Sequence, residues 1–267
     1  MISKFLLGYL REDNPYFGAT VGRVANRITN GTFVIDQKRY FVTRNIGPHT
    51  IHGGKYGFDK KIWNAKILSG SVIMTLESKD NDEGFPGDLF TEITYTLTEN
   101  NELVIVFKSH TNQPTPVNIV NHSYFNLAGH DKGAEGLYEH EVVINADKYT
   151  PLSKEFSLPT GEIKSVDTTE FDLRNKTILG DSIKKTSNGD GFDINLIVNG
   201  EGYRQFSKVA HPQSGRYMTV YSDQPGVQFY TSNFLNNVIG KDGQVYNKHA
   251  GLCLETQQFP DAVNHVS

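Results

Sequence analysis

Asn121-His122-Ser123-Tyr124-Phe125-Asn126-Leu127, entered through Thr115-Pro116-Val117-Asn118-Ile119-Val120, is the stretch on which the reading of this chain turns. The lead-in alternates polar with apolar residues, the period of a strand with one face on a core and the other carrying polar groups. Side chains at 118, 120, 122 and 124 then share a face. The heptapeptide places a titratable imidazole among amides, a hydroxyl and two aromatic rings, a set that is costly to bury without hydrogen-bond partners. Taken alone, His122 reads as an ordinary core histidine. Other polar clusters change its weight.

Working outward, strand-like runs recur at Ser71-Val72-Ile73-Met74-Thr75-Leu76, Thr91-Glu92-Ile93-Thr94-Tyr95-Thr96-Leu97, Leu103-Val104-Ile105-Val106-Phe107 and Arg216-Tyr217-Met218-Thr219-Val220-Tyr221. Their Thr, Val, Ile and Tyr content suits a pleated surface. Turn chemistry such as Glu99-Asn100-Asn101-Glu102 separates them, and long apolar stripes of period 3.6 are absent. The pattern predicts an all-β, antiparallel protein of two packed sheets, with a ligand on the concave face of one. A chain of 267 residues with no linker or repeat predicts a single domain over 1–267.

The formal net charge of -4, from 26 basic and 30 acidic residues, leaves no electrostatic footprint for nucleic acid or an anionic membrane. The apolar run over residues 5–10 meets Arg11-Glu12-Asp13 and is too short for a signal segment or a membrane span. Cys253 is the only cysteine, so no intramolecular disulfide can form. A reducing, cytoplasmic setting is expected, with Cys253 as a small buried apolar residue.

Several clusters can carry chemistry. In Gly22-Arg23-Val24-Ala25-Asn26-Arg27-Ile28 the arginines offer planar forks of donors suited to oxygen-rich ligands, although a solvated arginine near a turn reads equally well. Asn30-Gly31 just beyond is a hairpin signal. His49 and His52 lie three apart, a spacing that turns the rings of an extended segment to opposite faces, and no Cys or carboxylate nearby completes a tetrahedral set, so no metal is expected. Gly53-Gly54 implies close backbone approach. Asp80-Asn81-Asp82-Glu83-Gly84 departs from a calcium loop in its glycine position and reads as a solvated acidic turn. Asp193 after Gly191-Phe192, and Gln228 in Val227-Gln228-Phe229-Tyr230-Thr231, suit sugar hydroxyls beside aromatic faces. Glu255 ends the apolar run Gly251-Leu252-Cys253-Leu254 and is either a partnered structural charge or a tuned base.

In order, residues 17–28, His52-Gly53-Gly54 with Gly57-Phe58-Asp59-Lys60 and Trp63, residues 121–127, Gly191-Phe192-Asp193 and Leu254-Glu255-Thr256-Gln257 closely resemble the aldose 1-epimerase (galactose mutarotase) family. The resemblance runs from about Leu6 to the end of the chain. It implies an antiparallel β-sandwich of the galactose mutarotase type, and interconversion of the α and β anomers of hexoses by acid and base ring opening, without a cofactor. On that resemblance Glu255 is the base that takes the C1 hydroxyl proton, and His122 is the acid that serves the ring oxygen. His52 assists near that oxygen or an adjacent hydroxyl, while Arg27 and Asp193 hold hydroxyls. Asn26, Gln228 and Tyr124 are secondary contacts. Donation by His122 at neutral pH is expected to draw on a cationic ring favoured by a nearby carboxylate or polar neighbours.

Ile194 stands where family members commonly have a histidine after the Gly-Phe-Asp motif. The chain also starts and stops short of strands that the family pattern places at both ends, so a fragment, a short isoform or an incomplete gene product is expected, with its catalytic residues present. The expected partner is a free hexose, with no nucleic acid and no membrane, bound by a monomer or weak dimer. A hexose-phosphate epimerase of the same fold needs more basic residues than Arg23, Arg27 and scattered lysines offer. A sugar-binding module without turnover is the non-enzymatic alternative.

Overall fold

The computed structural model describes residues 1, 3, 6–9, 11 and 13–265. Of the apolar run near the N-terminus, Leu6–Tyr9 form a short helix, and Phe5 and Leu10 lie outside the described residues. No helix among the described residues is long and apolar enough to cross a membrane. The chain falls into two compact units, one of Met1–Thr20 with Val120–Ala262 and one of Val21–Ile119 with Val263–Ser267.

The first unit is a sandwich of two antiparallel sheets. One has the order Lys164–Ser165, Ala146–Thr150, Asp193–Val198, Gly226–Tyr230, Cys253–Gln257; the other runs Thr177–Ile178, Glu141–Ile144, Arg204–His211, Arg216–Ser222. Alternation along each strand makes the core. Ile194, Leu196, Val198, Val227 and Phe229 from the first sheet pack with Val142, Ile144, Phe206 and Val209 from the second, and burying such side chains stabilises by roughly 1.5–3 kcal/mol each. The intervening residues of the first sheet, Asp193, Asn195, Gln228, Glu255 and Gln257, then necessarily face the other way. The strand Val120–His122 continues to Phe125, whose amide and carbonyl exchange hydrogen bonds of 2.8 and 2.9 Å with Leu252. That bridge brings the segment holding His122 alongside the Cys253–Gln257 strand.

The second unit is built on a four-stranded antiparallel meander, Asn64–Leu68, Ser71–Ser78, Leu89–Leu97 and Leu103–Thr111. The predicted strands at 71–76, 91–97 and 103–107 lie within it, and the one at 216–221 lies in the sandwich. Asn30-Gly31 does not close a hairpin. Asn30 is left-handed, with φ 56°, but the flanking strands pair elsewhere, Arg27–Ile28 with Thr50–Ile51 and Thr32–Ile35 with Lys38–Phe41. The hairpin turn is Asp36-Gln37, both at positive φ. The acidic segment is more tightly held than a solvated turn: Asp80 accepts from the Gly87 amide and Gln113, and Asp82 accepts from Ser78 and pairs with Lys61. Gly53 meets its expectation, since at φ 85° a Cβ there would lie 2.2 Å from the Gly22 carbonyl oxygen.

Arg23 ties this unit together from inside. Fully buried, its guanidinium donates to the Pro86 and Gly87 carbonyls at 2.6 and 2.8 Å, to Thr115 Oγ1 at 3.1 Å and to Ser78 Oγ at 3.3 Å, with its carbon 5.7 Å from the centre of the Phe85 ring. Burial pushes its pKa down to about 10, which still leaves the cation charged at neutral pH. Partial charges of carbonyls and hydroxyls replace a direct carboxylate partner. Arg23→Met leaves those buried acceptors without donors and is expected to lower stability by about 3 kcal/mol or more, read as a lower urea midpoint.

Candidate active site

Register builds the first part of the site. Gln228 lies opposite Asn195 on one neighbouring strand and opposite Glu255 on the other, which sets three polar side chains in a row across the sheet. Asp193, two residues before Asn195, joins them by accepting from Gln228 Nε2 at 2.6 Å. Gln257 donates to Asn195 at 2.9 Å and to Gln228 Oε1 at 3.3 Å, and Asn195 donates to Thr150 at 3.3 Å. The orientation of Asp193 therefore comes from Gln228. Ile194, where the family pattern has a histidine, points into the core on the opposite face. Gly191 makes the approach possible, because at φ 90° a Cβ there would meet Thr231 Oγ1 at 2.4 Å.

His122 stands at the end of this row. Its ring stacks between Tyr16 and Tyr124, with centroids 5.8 and 5.1 Å away, and meets Tyr230 edge-on at 6.4 Å. The Gly18 amide donates to its carbonyl at 2.9 Å, and Tyr124 donates its hydroxyl to the Pro15 carbonyl at 2.8 Å. Tyr124 thus serves the site through its ring, with its hydroxyl pinning the segment that carries Tyr16. Nε2 of His122 lies 3.5 Å from Glu255 Oε1, and Nδ1 lies 3.7 Å from Cys253 Sγ. Burial works against the expected cationic ring. Burial pushes the His122 pKa down to about 4, so the imidazole is neutral at pH 7 despite the adjacent carboxylate. Cys253 is buried as expected, and burial raises its thiol well above the ordinary range.

In the second unit Asn26, Arg27 and His52 form a buried set of their own. Asn26 Oδ1 accepts from the Arg27 amide at 3.0 Å and from its guanidinium at 3.4 Å. The Asn26 amide donates to His52 Nδ1 at 3.2 Å, so a neutral His52 carries its proton on Nε2. His49 is held in the same way, its Nδ1 accepting from the Asn30 backbone amide at 2.9 Å.

Sequence reasoning missed Tyr16, Asn195, Tyr230, Cys253 and Gln257 as parts of the site. The spacing of Cys253 and Glu255, which puts both on one face of a strand, was the available signal for the thiol. His122, Cys253 and Glu255 also offer donor atoms within 4.8 Å of one another.

A buried carboxylate facing an imidazole, on the polar face of an antiparallel sandwich rich in hydroxyl-matching amides, defines a protein equipped for paired acid and base work on a polyhydroxy ligand. The profile of the aldose 1-epimerase family matches residues 3–267, and the chain belongs to that family. It is 49% identical over 261 residues to the galactose mutarotase of Bos taurus, covering 97% of this chain and 75% of that one. It is also 35% identical over 271 residues to the aldose 1-epimerase of Haemophilus influenzae, covering 99% and 79%. Among solved structures, an aldose epimerase homologue from C. elegans superposes with a TM-score of 0.88 at 29% identity, covering 98% of this chain and 79% of the other. Galactose 1-epimerase from Lactobacillus acidophilus superposes with a TM-score of 0.82 at 27% identity, covering 97% and 77%.

A histidine neutral in the fold and free to charge when unfolded makes the protein acid-sensitive. As pH falls below the ordinary value of 6.5 the unfolded chain binds a proton that folded His122 refuses until about 4. Stability is complete above 6.5 and is lost on the way down, by up to about 3 kcal/mol from this group. His140 and His249, also lowered by burial, act in the same direction. The urea midpoint is expected to drop between pH 7 and pH 5, with a smaller drop in His122→Gln.

Proposed function

We propose that this chain is an aldose 1-epimerase that interconverts the α and β anomers of hexoses such as galactose and glucose, with Glu255 as base and His122 as acid. The observation that carries the assignment of roles is the 3.5 Å opposition of His122 Nε2 and Glu255 Oε1 at the edge of the polar row. The two sugar oxygens that exchange protons are both bonded to C1, so an acid and a base that serve them must converge on one small region, as these two do. Glu255 takes the proton of the C1 hydroxyl, and the electron pair released forms the aldehyde C=O. The bond from C1 to the ring oxygen breaks, its electrons pass to that oxygen, and the oxygen receives the Nε2 proton of His122, leaving an imidazolate that the proton taken up by Glu255 neutralises. Rotation about the C1–C2 bond turns the other face of the aldehyde to the oxygen, and reversed transfers close the ring with C1 inverted.

A neutral imidazole can fill the acid role by donating a hydrogen bond that strengthens as charge develops on the oxygen. Asp193 and Gln228, already joined, accept and donate to hydroxyls, and Asn26, Arg27 and His52 are assigned to substrate through the same family pattern. The reaction is set in the cytoplasm, in a monomer or weak dimer, where a lone buried thiol stays reduced.

Polarimetry of freshly dissolved α-D-galactose is expected to show faster decay of rotation with protein than in buffer. Glu255→Gln should slow that decay by about 10²–10⁴-fold while the sugar still binds. Binding without any acceleration in the unmodified chain would identify a sugar-binding module instead. Because His122 is neutral down to about pH 4, kcat/KM should show no loss attributable to this ring as pH rises from 5.5 to 8. A descending limb near 6.5 that vanishes in His122→Gln would restore the cationic acid.

A further inference from the structure

Cys253 opens the strand Cys253–Gln257 and projects from the same face as Glu255, two residues on. The two side chains grip one imidazole from both ends, with Sγ 3.7 Å from Nδ1 and Oε1 3.5 Å from Nε2 of His122. The ring between them is clamped by Tyr16 and Tyr124 and has little freedom to rotate. A neutral imidazole holds a single proton, and the nitrogen that carries it decides whether Nε2 can donate.

Four contacts bear on that choice. The thiol is fully buried, and its ionisation is suppressed by that burial and by the charges of Glu255 and Asp193, so it is an S–H donor. With the ring proton on Nε2, the thiol donates to the Nδ1 lone pair and Nε2–H points at the Glu255 carboxylate. With the proton on Nδ1, the thiol must turn its hydrogen away and accept through sulfur, a weak acceptor, and at the other end the Nε2 lone pair faces carboxylate oxygens. One competitor favours the second arrangement, the carbonyl of His122 itself, which is within range of its own ring. That oxygen already accepts from the Gly18 amide at 2.9 Å.

We infer that Cys253 is a positioning residue for the epimerase reaction, its thiol holding His122 as the Nε2–H tautomer, the form able to hand a proton to the sugar ring oxygen. The inference rests on the functional reading above, and goes beyond it in giving the lone cysteine a part in turnover. The thiol touches the acid and not the sugar. Its loss therefore affects the fraction of His122 in the competent tautomer, and so kcat, while KM is left nearly unchanged.

The test pairs ¹⁵N NMR of histidine-labelled protein at pH 7 with polarimetry on α-D-galactose. The unmodified chain should show the His122 proton on Nε2 and an acceptor-type Nδ1. Cys253→Ala should shift population towards the Nδ1–H form and lower kcat by roughly fivefold to tenfold, the scale of one modest hydrogen bond, with KM within about twofold. Cys253→Ser, whose hydroxyl also donates, should restore both the tautomer and most of kcat, and it serves if the alanine variant does not fold. A proton on Nδ1 in the unmodified chain overturns the inference however fast the sugar turns over. So does Cys253→Ala that keeps the Nε2–H signal and full kcat. Absence of mutarotation with the proton on Nε2 would overturn the functional reading and leave the tautomer assignment standing.

Discussion

The site depends on a strand register. Gln228 stands between Asn195 and Glu255, and because side chains alternate, a slip of one residue in the last strand would turn Glu255 into the hydrocarbon core and bring Leu254 into the polar row. The core enforces the register from the other side. Val227, Phe229, Ile194 and Leu196 must all face the second sheet, and no pairing shifted by one residue buries them while keeping the carboxylate and amides out. Apolar packing on one face of the sheet thus positions polar chemistry on the other.

Burial then determines the electrostatics. An imidazole 3.5 Å from a carboxylate would ordinarily be expected to take up a proton, but here the ring is enclosed by aromatic side chains and a thiol, and desolvation prevails. Arg23 presents the contrasting case. It is as deeply buried yet remains a cation, because a guanidinium begins far above neutrality and its donors meet several oxygens. A buried cation needs a high intrinsic pKa as well as a cage of acceptors, and a histidine starts from only 6.5.

Much of the fold was legible in the sequence because strands announce themselves by a period of two. The runs at 71–76, 91–97, 103–107 and 216–221 are all strands, and the burial of residues 118, 120, 122 and 124 alternates as their sequence implies. Asn30-Gly31 shows where local pattern stops. It specifies a left-handed residue, which is present, but not which strands pair across it. The members of the site carried by ordered motifs, Glu255, His122, Asp193 and Gln228, come together in the sandwich unit, as Asn26, Arg27 and His52 do in the other. Asn195, Tyr16 and Cys253 escaped because their roles arise from pairing between segments remote in the chain. The charge of His122 escaped for a related reason, since enclosure by side chains from four segments cannot be read from any one of them.

That enclosure has a temporal side. The ring of His122 is completed by Tyr16 from near the start of the chain, by Tyr230 and by Cys253, the last contact joining residues 131 positions apart and the Tyr124 hydroxyl bond joining residues 109 apart. Contacts of such long sequence separation carry the larger loop-closure cost. A newly made chain can hold its meander and hairpins as local structure while the imidazole is still solvated and titrates like any free histidine. The neutral ring is therefore a mark of a finished fold, acquired only when the two ends of the sandwich unit have met.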